Sequence, residues 1–451
     1  MNLSLLAVPP SPDWDEAWKL IQVLDAALAT GLSRLPQDLR DGLSSLAEAF
    51  AATPLGPAVS DGIDRLLRSE FSTSALVALA AARTALAGSL HDALRQRAIE
   101  ACCLASEESA EPVMIPPGAD APLLTGVQHW LGEVAVAGTG NLDEAQLAPF
   151  ETILSQIQAR AQWSGLAALL SGFVEELTQA AQRSSRQDAP SHRWADLWCA
   201  AMLGAQAQTG DSAFSEVTGV LHPCGMDVCE HRAFVSATLW GLFVADGAQP
   251  RIVRVPFSSW KVSVATGDEI WKLFQPSIQP FLEAMASGES MRVQGELATG
   301  GDLRITAEPE RCGVTNPFEL PQPWIALPAV PAAVRHPVHV AQMIRLDECK
   351  ISTSGETGRE VVSGGVTLPV DMRLFARTDL DLKSFDAATG VLALLRWDAG
   401  RWQLQPICVQ GKGKLKNGLR AGQGISARLA KSKSDALVTL QERASRLLRT
   451  H

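Results

Sequence analysis

Residues 216–308 constrain the fold most, because strand and helix signals arrive there in a fixed order. Runs rich in Val, Thr, Trp and Phe with period-two alternation indicate strands, and apolar residues at helical spacing indicate one helix. The predicted strands are residues 216–222, 234–244, 251–264, 291–297 and 303–307, and the predicted helix is 267–286. The last two strands alternate around a glycine-containing turn, which is typical of a hairpin. This order predicts a five-stranded β-barrel with a helix before its fourth strand.

The region before this barrel shows helical periodicity almost throughout. Ser11, Pro12 and Asp13 open the first helix with a capping side chain, a proline suited to the first turn and an acid near the positive end of the helix dipole. The predicted helices are residues 12–30, 36–51, 56–69, 72–89, 89–106, 141–163, 165–184 and 194–208. Short connections favour antiparallel packing, so residues 1–210 are predicted to form a helical bundle or a short α-solenoid.

A proline-rich segment, residues 312–335, follows the barrel domain at 211–311 and is expected to be an extended linker. Residues 336–410 form a second strand-rich block, whose hairpin at 392–406 is similar to the closing hairpin of the first barrel. Its predicted strands are residues 338–346, 361–368, 372–376, 391–397 and 402–409. A second barrel of the same kind and a different small β domain both fit this pattern. The chain is therefore predicted to be an α+β protein.

Charge is distributed unevenly along the chain. The net charge is −10, yet residues 411–451 carry ten Lys and Arg against two acidic residues, which gives +8 for this tail and −18 for the rest. The tail is predicted to end in a helix that begins near Ser434. A basic tail on an acidic protein can bind the phosphate backbone of nucleic acid or an acidic protein surface. The candidate contacts in the tail are Lys412, Lys414, Lys416 and Arg420.

The closing hairpin of the first barrel reads Met291-Arg-Val-Gln-Gly-Glu-Leu and Gly301-Asp-Leu-Arg-Ile-Thr-Ala. Together with the order of elements, it resembles the OB fold of single-stranded-DNA-binding proteins. In that fold the binding face is centred on the second and third strands, where aromatic side chains stack on bases and cations meet phosphate. The positions that the resemblance assigns to this role are Trp240, Arg251, Arg254, Trp260 and Lys261.

Two observations weigh against this role for the barrel by itself. Residues 216–308 hold seven Lys and Arg against eleven Asp and Glu, a net charge of −4, whereas phosphate neutralisation dominates nucleic-acid affinity. Trp260 also shares one strand face with Ile252 and Val262, and that face could be the barrel interior. The aromatic residues are therefore expected either to stack on bases or to fill the barrel core.

One group of residues has the composition of a metal site. His222 and Cys224 would share a face with Cys229 and His231 if the chain turned between residues 225 and 228. Four nitrogen and sulfur ligands are the number that structural zinc requires, but this spacing matches no standard zinc finger. Buried thiols explain the cysteines equally well, and we expect no bound metal.

The sequence contains no recognisable catalytic motif: there is no P-loop, nucleophile elbow, zinc-protease helix or dinucleotide fingerprint. The absence of tyrosine excludes any mechanism that needs a tyrosine nucleophile. With no signal peptide and no apolar window of membrane-spanning length, a cytoplasmic protein without cofactors or membrane contact is expected. The favoured function is non-catalytic binding of single-stranded DNA or RNA as an accessory subunit of a partner enzyme. The alternative is a protein–protein adaptor or scaffold subunit of a bacterial-type assembly.

Overall fold

A computed structural model describes residues 1–8, 13–107, 114–115, 121–181, 191–206, 208–209, 214–231, 234–261, 266–330, 335–355, 358–398 and 400–431. It confirms the α+β class, with an N-terminal helical region followed by curled antiparallel sheets. A two-stranded ladder, β1 (Met114–Ile115) with β2 (Gln208–Thr209), lies at the end of the helical region.

The helical region packs around one core of leucine, alanine and aromatic side chains. Its helices are α1 (Trp14–Thr30), α2 (Gln37–Phe50), α3 (Gly56–Leu67), α4 (Thr73–Cys102), α5 (Ala121–Ala137), α6 (Glu144–Leu147), α7 (Phe150–Gln158), α8 (Ser164–Ala181) and α9 (Ser191–Gly204). Within the described residues, α4 alone is long and apolar enough to cross a membrane by length and composition. More than half of its apolar window, 56%, is buried inside the protein, as in a core helix.

The structure differs from the prediction for this region in three ways. The two helices predicted at 72–89 and 89–106 are the single helix α4, because the Ser89 hydroxyl donates to the Leu86 carbonyl (2.8 Å) and does not interrupt the backbone. The long helix predicted at 141–163 is divided, since Pro149 precedes α7. Helix α5 was not predicted at all.

The first barrel (barrel 1) consists of β3 (Phe214–Glu230), β4 (Phe234–Ala245), β5 (Arg251–Trp260), β6 (Glu289–Ala298) and β7 (Leu303–Ile305). Their order in the sheet is β5-β4-β3-β6-β7, and β8 (Glu310–Val314) adds to β6. The Arg254 N–H donates to the Gly301 carbonyl (3.0 Å), which brings the two outer strands together. The sheet is therefore a nearly closed antiparallel barrel, compatible with an OB-like fold.

The helix predicted at 267–286 is present as two short helices, α10 (Glu269–Lys272) and α11 (Gln279–Ser287). Pro276 lies between them, where a proline removes a helical hydrogen bond. Apolar side chains of this segment, among them Phe274 between the helices and Phe281 in α11, pack into the core of barrel 1.

Strand β3 is much longer than predicted and passes through the turn expected at residues 225–228. It pairs with β4 from Gly219 to Glu230, with a bulge between Pro223 and Gly225. A Cβ at Gly225 would lie 2.4 Å from the Ile407 carbonyl oxygen. The glycine that suggested a turn instead permits close contact with a strand of the next sheet.

The second sheet system (barrel 2) consists of β9 (Ala341–Leu346), β10 (Lys350–Ser354), β11 (Gly358–Ser363), β12 (Val366–Pro369), β13 (Ala388–Asp398), β14 (Arg401–Gly411) and β15 (Leu419–Arg420). Strand β13 pairs with β9 and β14, while β10, β11 and β12 pair in sequence. Val370, just after β12, forms a parallel bridge to Leu404 in β14. If β9 and β10 are taken as one bent strand, these connections repeat those of barrel 1.

The closing hairpin of barrel 2 is confirmed, but two predicted strands were wrong. The strand predicted at 361–368 is divided between β11 and β12 by a turn at Gly364 and Gly365, both with positive φ. The strand predicted at 372–376 is a short helix, α12 (Met372–Phe375). The Asp371 carboxylate accepts hydrogen bonds from the backbone N–H groups of Arg373 and Leu374, and this cap starts the helix. A second short helix, α13 (Leu382–Asp386), follows.

The segment predicted as a linker is packed between the other parts of the protein. Trp324 is fully buried in a core shared by α4, β4 and barrel 2. The backbone of Ile325 exchanges hydrogen bonds with Pro250 and Ile252 (both 2.9 Å), and Ala105 bonds to Trp324 and Ala326 (both 2.8 Å). The segment therefore ties the helical region to barrel 1.

The described part of the tail also contributes to the core. Leu415 and Ala421 are buried with barrel 2, and Ile425 of the last described helix, α14 (Ile425–Lys431), is buried against barrel 1. The helix predicted from Ser434 and the cations beyond Lys431 lie outside the described residues.

Candidate nucleic-acid interface

The strands of barrel 1 have distinct inner and outer faces. On β4, Val235, Ala237 and Leu239 point into the barrel core, so the alternate residues point outward. We define the outer face as the outward residues of β3, β4 and β5, namely Asp227, Cys229, Phe234, Ser236, Thr238, Trp240, Arg254, Pro256, Ser258 and Trp260. Trp240 is paired in register with Arg254, and Phe234 with Trp260.

At one end the outer face is open to solvent. Trp260 is 38% exposed, and its ring meets that of Phe234 edge to face with the centroids 5.3 Å apart. Because Trp260 lies on the outer face, its expected alternative role in the barrel interior is excluded. An exposed tryptophan held by an aromatic neighbour presents a ring surface on which a base can stack.

At the other end the outer face is covered and forms the floor of a cavity of about 490 Å³. Helices α4 and α9 contribute to its walls, together with residues 335–341 and β13. Trp240 is only 4% exposed there, and its indole Nε1 has no hydrogen-bond partner among the described residues. The nitrogen itself is inaccessible to solvent, so within the described residues it is an unsatisfied buried donor and not a contact for a bound molecule.

Five arginines from separate elements line this cavity: Arg83, Arg193, Arg254, Arg335 and Arg396. Each forms an ion pair with at least one carboxylate. The pairs are Arg83 with Asp25 and Asp196 (2.6 Å each), Arg193 with Glu176 (2.6 Å), Arg254 with Asp302 (2.7 Å), Arg335 with Asp92 (2.8 Å) and Arg396 with Asp227 (3.1 Å). The cavity is therefore nearly neutral, and an anion bound there would depend on the N–H donors that these pairs leave unused.

Two histidines in the cavity wall are held neutral. Burial lowers the pKa of His336 to about 4, although the Asp196 carboxylate lies 3.3 Å away. Burial also lowers the pKa of His339. The His336 Nδ1 accepts a hydrogen bond from the Val338 N–H (3.2 Å), which requires the unprotonated form of that nitrogen. Near pH 7 these neutral rings can form hydrogen bonds but add no positive charge to the cavity.

The remaining cations predicted from barrel 1 are engaged elsewhere. Arg251 forms an ion pair with Glu107 at 2.6 Å, outside the cavity lining. Lys261 pairs with Glu230 at 2.6 Å, and only 4% of its side chain is exposed. Of the five barrel residues predicted from the sequence, the structure brings Trp240 and Arg254 together and places Trp260 at the open end of the same face.

The basic residues of the tail fall into two groups. Lys412, Lys414 and Lys416 are exposed on the turn after β14 and have no ion pair among the described residues. Arg420 is instead buried, and its guanidinium donates to the Thr315 carbonyl (2.7 Å). Arg420 therefore stabilises the junction of barrels 1 and 2 and does not face solvent.

The four candidate metal ligands do not converge. Because β3 is continuous, His222 and Cys229 are separated by seven residues, or about 23 Å of extended strand. His222 contacts the Ser290 hydroxyl (2.7 Å), whereas the Cys229 sulfur lies 3.4 Å from His231 Nε2. Burial raises the pKa of the Cys224 thiol to about 12, which opposes the thiolate that a metal needs. No metal-binding group of three or more such residues is found among the described residues.

Barrel 2 carries an aromatic groove that was not predicted. Trp14, Trp397 and Trp402 line a cavity of about 770 Å³. The Trp397 ring is edge-on to both neighbours, with centroids 5.3 Å from Trp14 and 5.2 Å from Trp402. Asp15 and Glu360 also line the groove. Tryptophans on both sides of the predicted hairpin turn were the sequence signal for this groove, but the contribution of Trp14 depends on tertiary packing.

Comparisons of the chain with protein-family models, with curated proteins and with solved structures found no match.

Proposed function

We propose that this protein is a non-catalytic accessory subunit that binds single-stranded DNA or RNA along the outer face of barrel 1, beside a partner enzyme. The observation that carries the proposal is the exposed Trp260, braced by Phe234 on the second and third strands of the barrel. This surface leads along the same strands to the arginine-lined cavity. Aromatic stacking beside a groove of hydrogen-bond donors is how sequence-tolerant single-strand binders work.

Base stacking and phosphate contact would take place at opposite ends of this face. A base can stack on Trp260 because that ring is exposed, whereas Trp240 is too deeply buried to offer its ring surface. Phosphate oxygens can accept from Arg193, whose side chain is 47% exposed while paired with Glu176. Because the arginines already have carboxylate partners, most of the salt-dependent attraction must come from exposed cations such as Lys412, Lys414 and Lys416.

The test is a binding titration of single-stranded oligonucleotides, followed by tryptophan fluorescence. Trp260→Ala should weaken binding about tenfold, since base stacking contributes about 1–3 kcal/mol. Phe214→Ala is the matched control: Phe214 is exposed on the same barrel, but its ring lies under the Arg304 guanidinium. Equal affinities of the two variants, with melting temperatures unchanged, would reject the proposal.

A second function, an adaptor that docks on an acidic protein surface, is favoured by the three exposed lysines after β14. Lys412, Lys414 and Lys416 lie at the end of β14, while the tryptophan groove lies at its start. Tight binding of an acidic peptide such as polyglutamate, together with no oligonucleotide binding at low salt, would favour the adaptor. Replacing the three lysines by alanine would then abolish the peptide binding.

A further inference from the structure

The outer face of barrel 1 contains a cysteine in contact with a histidine. Cys229 is the second-last residue of β3, and His231 directly follows the strand. The Cys229 sulfur and His231 Nε2 are 3.4 Å apart. The thiol is partly buried and the imidazole is exposed. This pair lies between the arginine-lined cavity and Trp260.

The pKa shifts of the two groups run in opposite directions, toward a thiolate and an imidazolium. The hydrogen bond with His231 lowers the pKa of Cys229 against an opposing effect of burial, and Arg377 lowers it further, while Asp227 raises it. The same hydrogen bond raises the pKa of His231, Glu176 raises it too, and burial and Arg193 lower it. A thiolate beside an imidazolium is the arrangement that activates cysteines toward electrophiles.

The other cysteines have different surroundings. Burial raises the pKa to about 12 for Cys102, Cys199, Cys224 and Cys408, and to about 11 for Cys349. Cys103 and Cys312 are exposed, and neither has a histidine partner among the described residues. Cys229 is thus the one cysteine in this part of the chain that combines access with a hydrogen-bonded histidine.

We propose that Cys229 is a reactive thiol and a modification site, which peroxide oxidises and soft electrophiles alkylate. In the oxidation, the thiolate attacks one peroxide oxygen, the S–O bond forms and the O–O bond breaks. Hydroxide leaves and takes the His231 imidazolium proton to become water. The sulfur is oxidised by two electrons to sulfenic acid, and the peroxide is reduced.

Modification of Cys229 would place new bulk on the outer face. Ser236 is its cross-strand neighbour, and Trp260 lies toward the open end of the sheet. An alkyl group there would obstruct a nucleic-acid strand bound along the outer face from Trp260 to the cavity. This consequence rests on the proposed function, whereas the reactivity of the thiol does not.

The test is competitive labelling of the native full-length chain with iodoacetamide, with each cysteine quantified by peptide mass spectrometry. At pH 7, Cys229 should be labelled about tenfold faster than Cys103 and Cys312, which serve as controls within the same chain. Its rate should level off with rising pH earlier than theirs. Faster labelling of Cys103 or Cys312, or a pH profile of Cys229 identical to theirs, would overturn the proposal.

A variant of His231 distinguishes activation of the Cys229 thiol by the histidine from mere accessibility of the thiol. His231→Gln should slow the labelling of Cys229 several-fold and leave the rates of Cys103 and Cys312 unchanged. An unaltered Cys229 rate would overturn the proposal. Because the pH profile uses the unmodified sequence, it decides the question even if this variant does not fold.

The link to binding is tested by oligonucleotide titration after alkylation. Carbamidomethylated protein should bind at least several-fold more weakly than untreated protein, whereas the same treatment should not change the affinity of Cys229→Ser relative to untreated Cys229→Ser. If the unmodified protein binds no oligonucleotide, the proposed function fails, but the labelling experiments still decide whether Cys229 is reactive.

Discussion

Barrels 1 and 2 share the same strand connections but expose different surfaces. Helices α4 and α9 cover one end of the outer face of barrel 1, and the arginines enclosed there are paired with carboxylates. A groove on barrel 2, between β12, the β13–β14 turn and the N-terminal residues Leu6 to Val8 and Trp14, is lined by tryptophans instead. The difference shows that the surroundings of a barrel, more than its topology, determine what it can bind.

The largest expected effect comes from removing a residue that both barrels share. Trp324→Ala should lower the free energy of unfolding by about 3–5 kcal/mol, because Trp324 is fully buried between α4, β4 and barrel 2. Urea unfolding followed by circular dichroism should show one transition at lower denaturant. Separate transitions for the two barrels would contradict a shared core.

The next effect is a pH dependence of the free energy of unfolding, which arises at the covered end of the outer face of barrel 1. The folded-state pKa of His336 is about 4, below the ordinary 6.5, so the unfolded chain binds a proton first as the pH falls. Stability should therefore decrease from about pH 6.5 down to about pH 4, by roughly 3 kcal/mol for this group. Urea unfolding at several pH values should show a shallower decrease for His336→Asn. An identical pH dependence in both proteins would mean that His336 is not buried in the wall of the arginine-lined cavity.

A smaller effect tests which barrel stacks on nucleic acid. Trp397→Ala, in the groove of barrel 2, should change oligonucleotide affinity less than twofold, whereas Trp260→Ala should cost about 1–3 kcal/mol. The reason is that two carboxylates, those of Asp15 and Glu360, outnumber the one cation, Arg401, in the lining of the groove and disfavour phosphate. Fluorescence titration at constant salt measures both. A greater loss for Trp397→Ala would move the interface to barrel 2.

The last expected effect is on the salt dependence of binding. Replacing Lys412, Lys414 and Lys416 by alanine should weaken binding a few-fold at physiological salt. It should also reduce the slope of log K against log salt by up to about 2, given about 0.7 per phosphate for single strands. The melting temperature should not change, because all three side chains are exposed. A titration across a salt series would show the reduced slope, and an unchanged slope would exclude the lysines from the interface.

The sequence predicted the hairpins of both barrels well, because alternation over many residues identifies a strand independently of its partners. The errors arose where one side chain or one close contact decides the backbone. Asp371 caps a helix in a run that alternates like a strand, and Gly225 permits contact between sheets where a turn was expected. The local hydrophobic pattern of the sequence encodes neither the helix cap at Asp371 nor the contact between sheets at Gly225.

The candidate site was predictable only in part. Trp240, Arg254 and Trp260 lie on consecutive strands, so alternation could place them on one face but could not tell the outer face from the inner. Arg83 and Arg396 come from elements more than three hundred residues apart. Their convergence depends on how the helices pack on the barrel, which no local spacing reports.

The backbone bonds between Ala105 and the Trp324 segment also have a consequence for the newly made chain. A ribosome adds about 5–20 residues per second. The segment around Trp324, which pairs with Ala105 after the end of α4, is therefore synthesised roughly 10–40 s later than α4. During that interval the hydrophobic surface that Trp324 will cover is exposed to other chains. We therefore expect the yield of native protein to depend on how crowded the surroundings are while the second half of the chain is being synthesised.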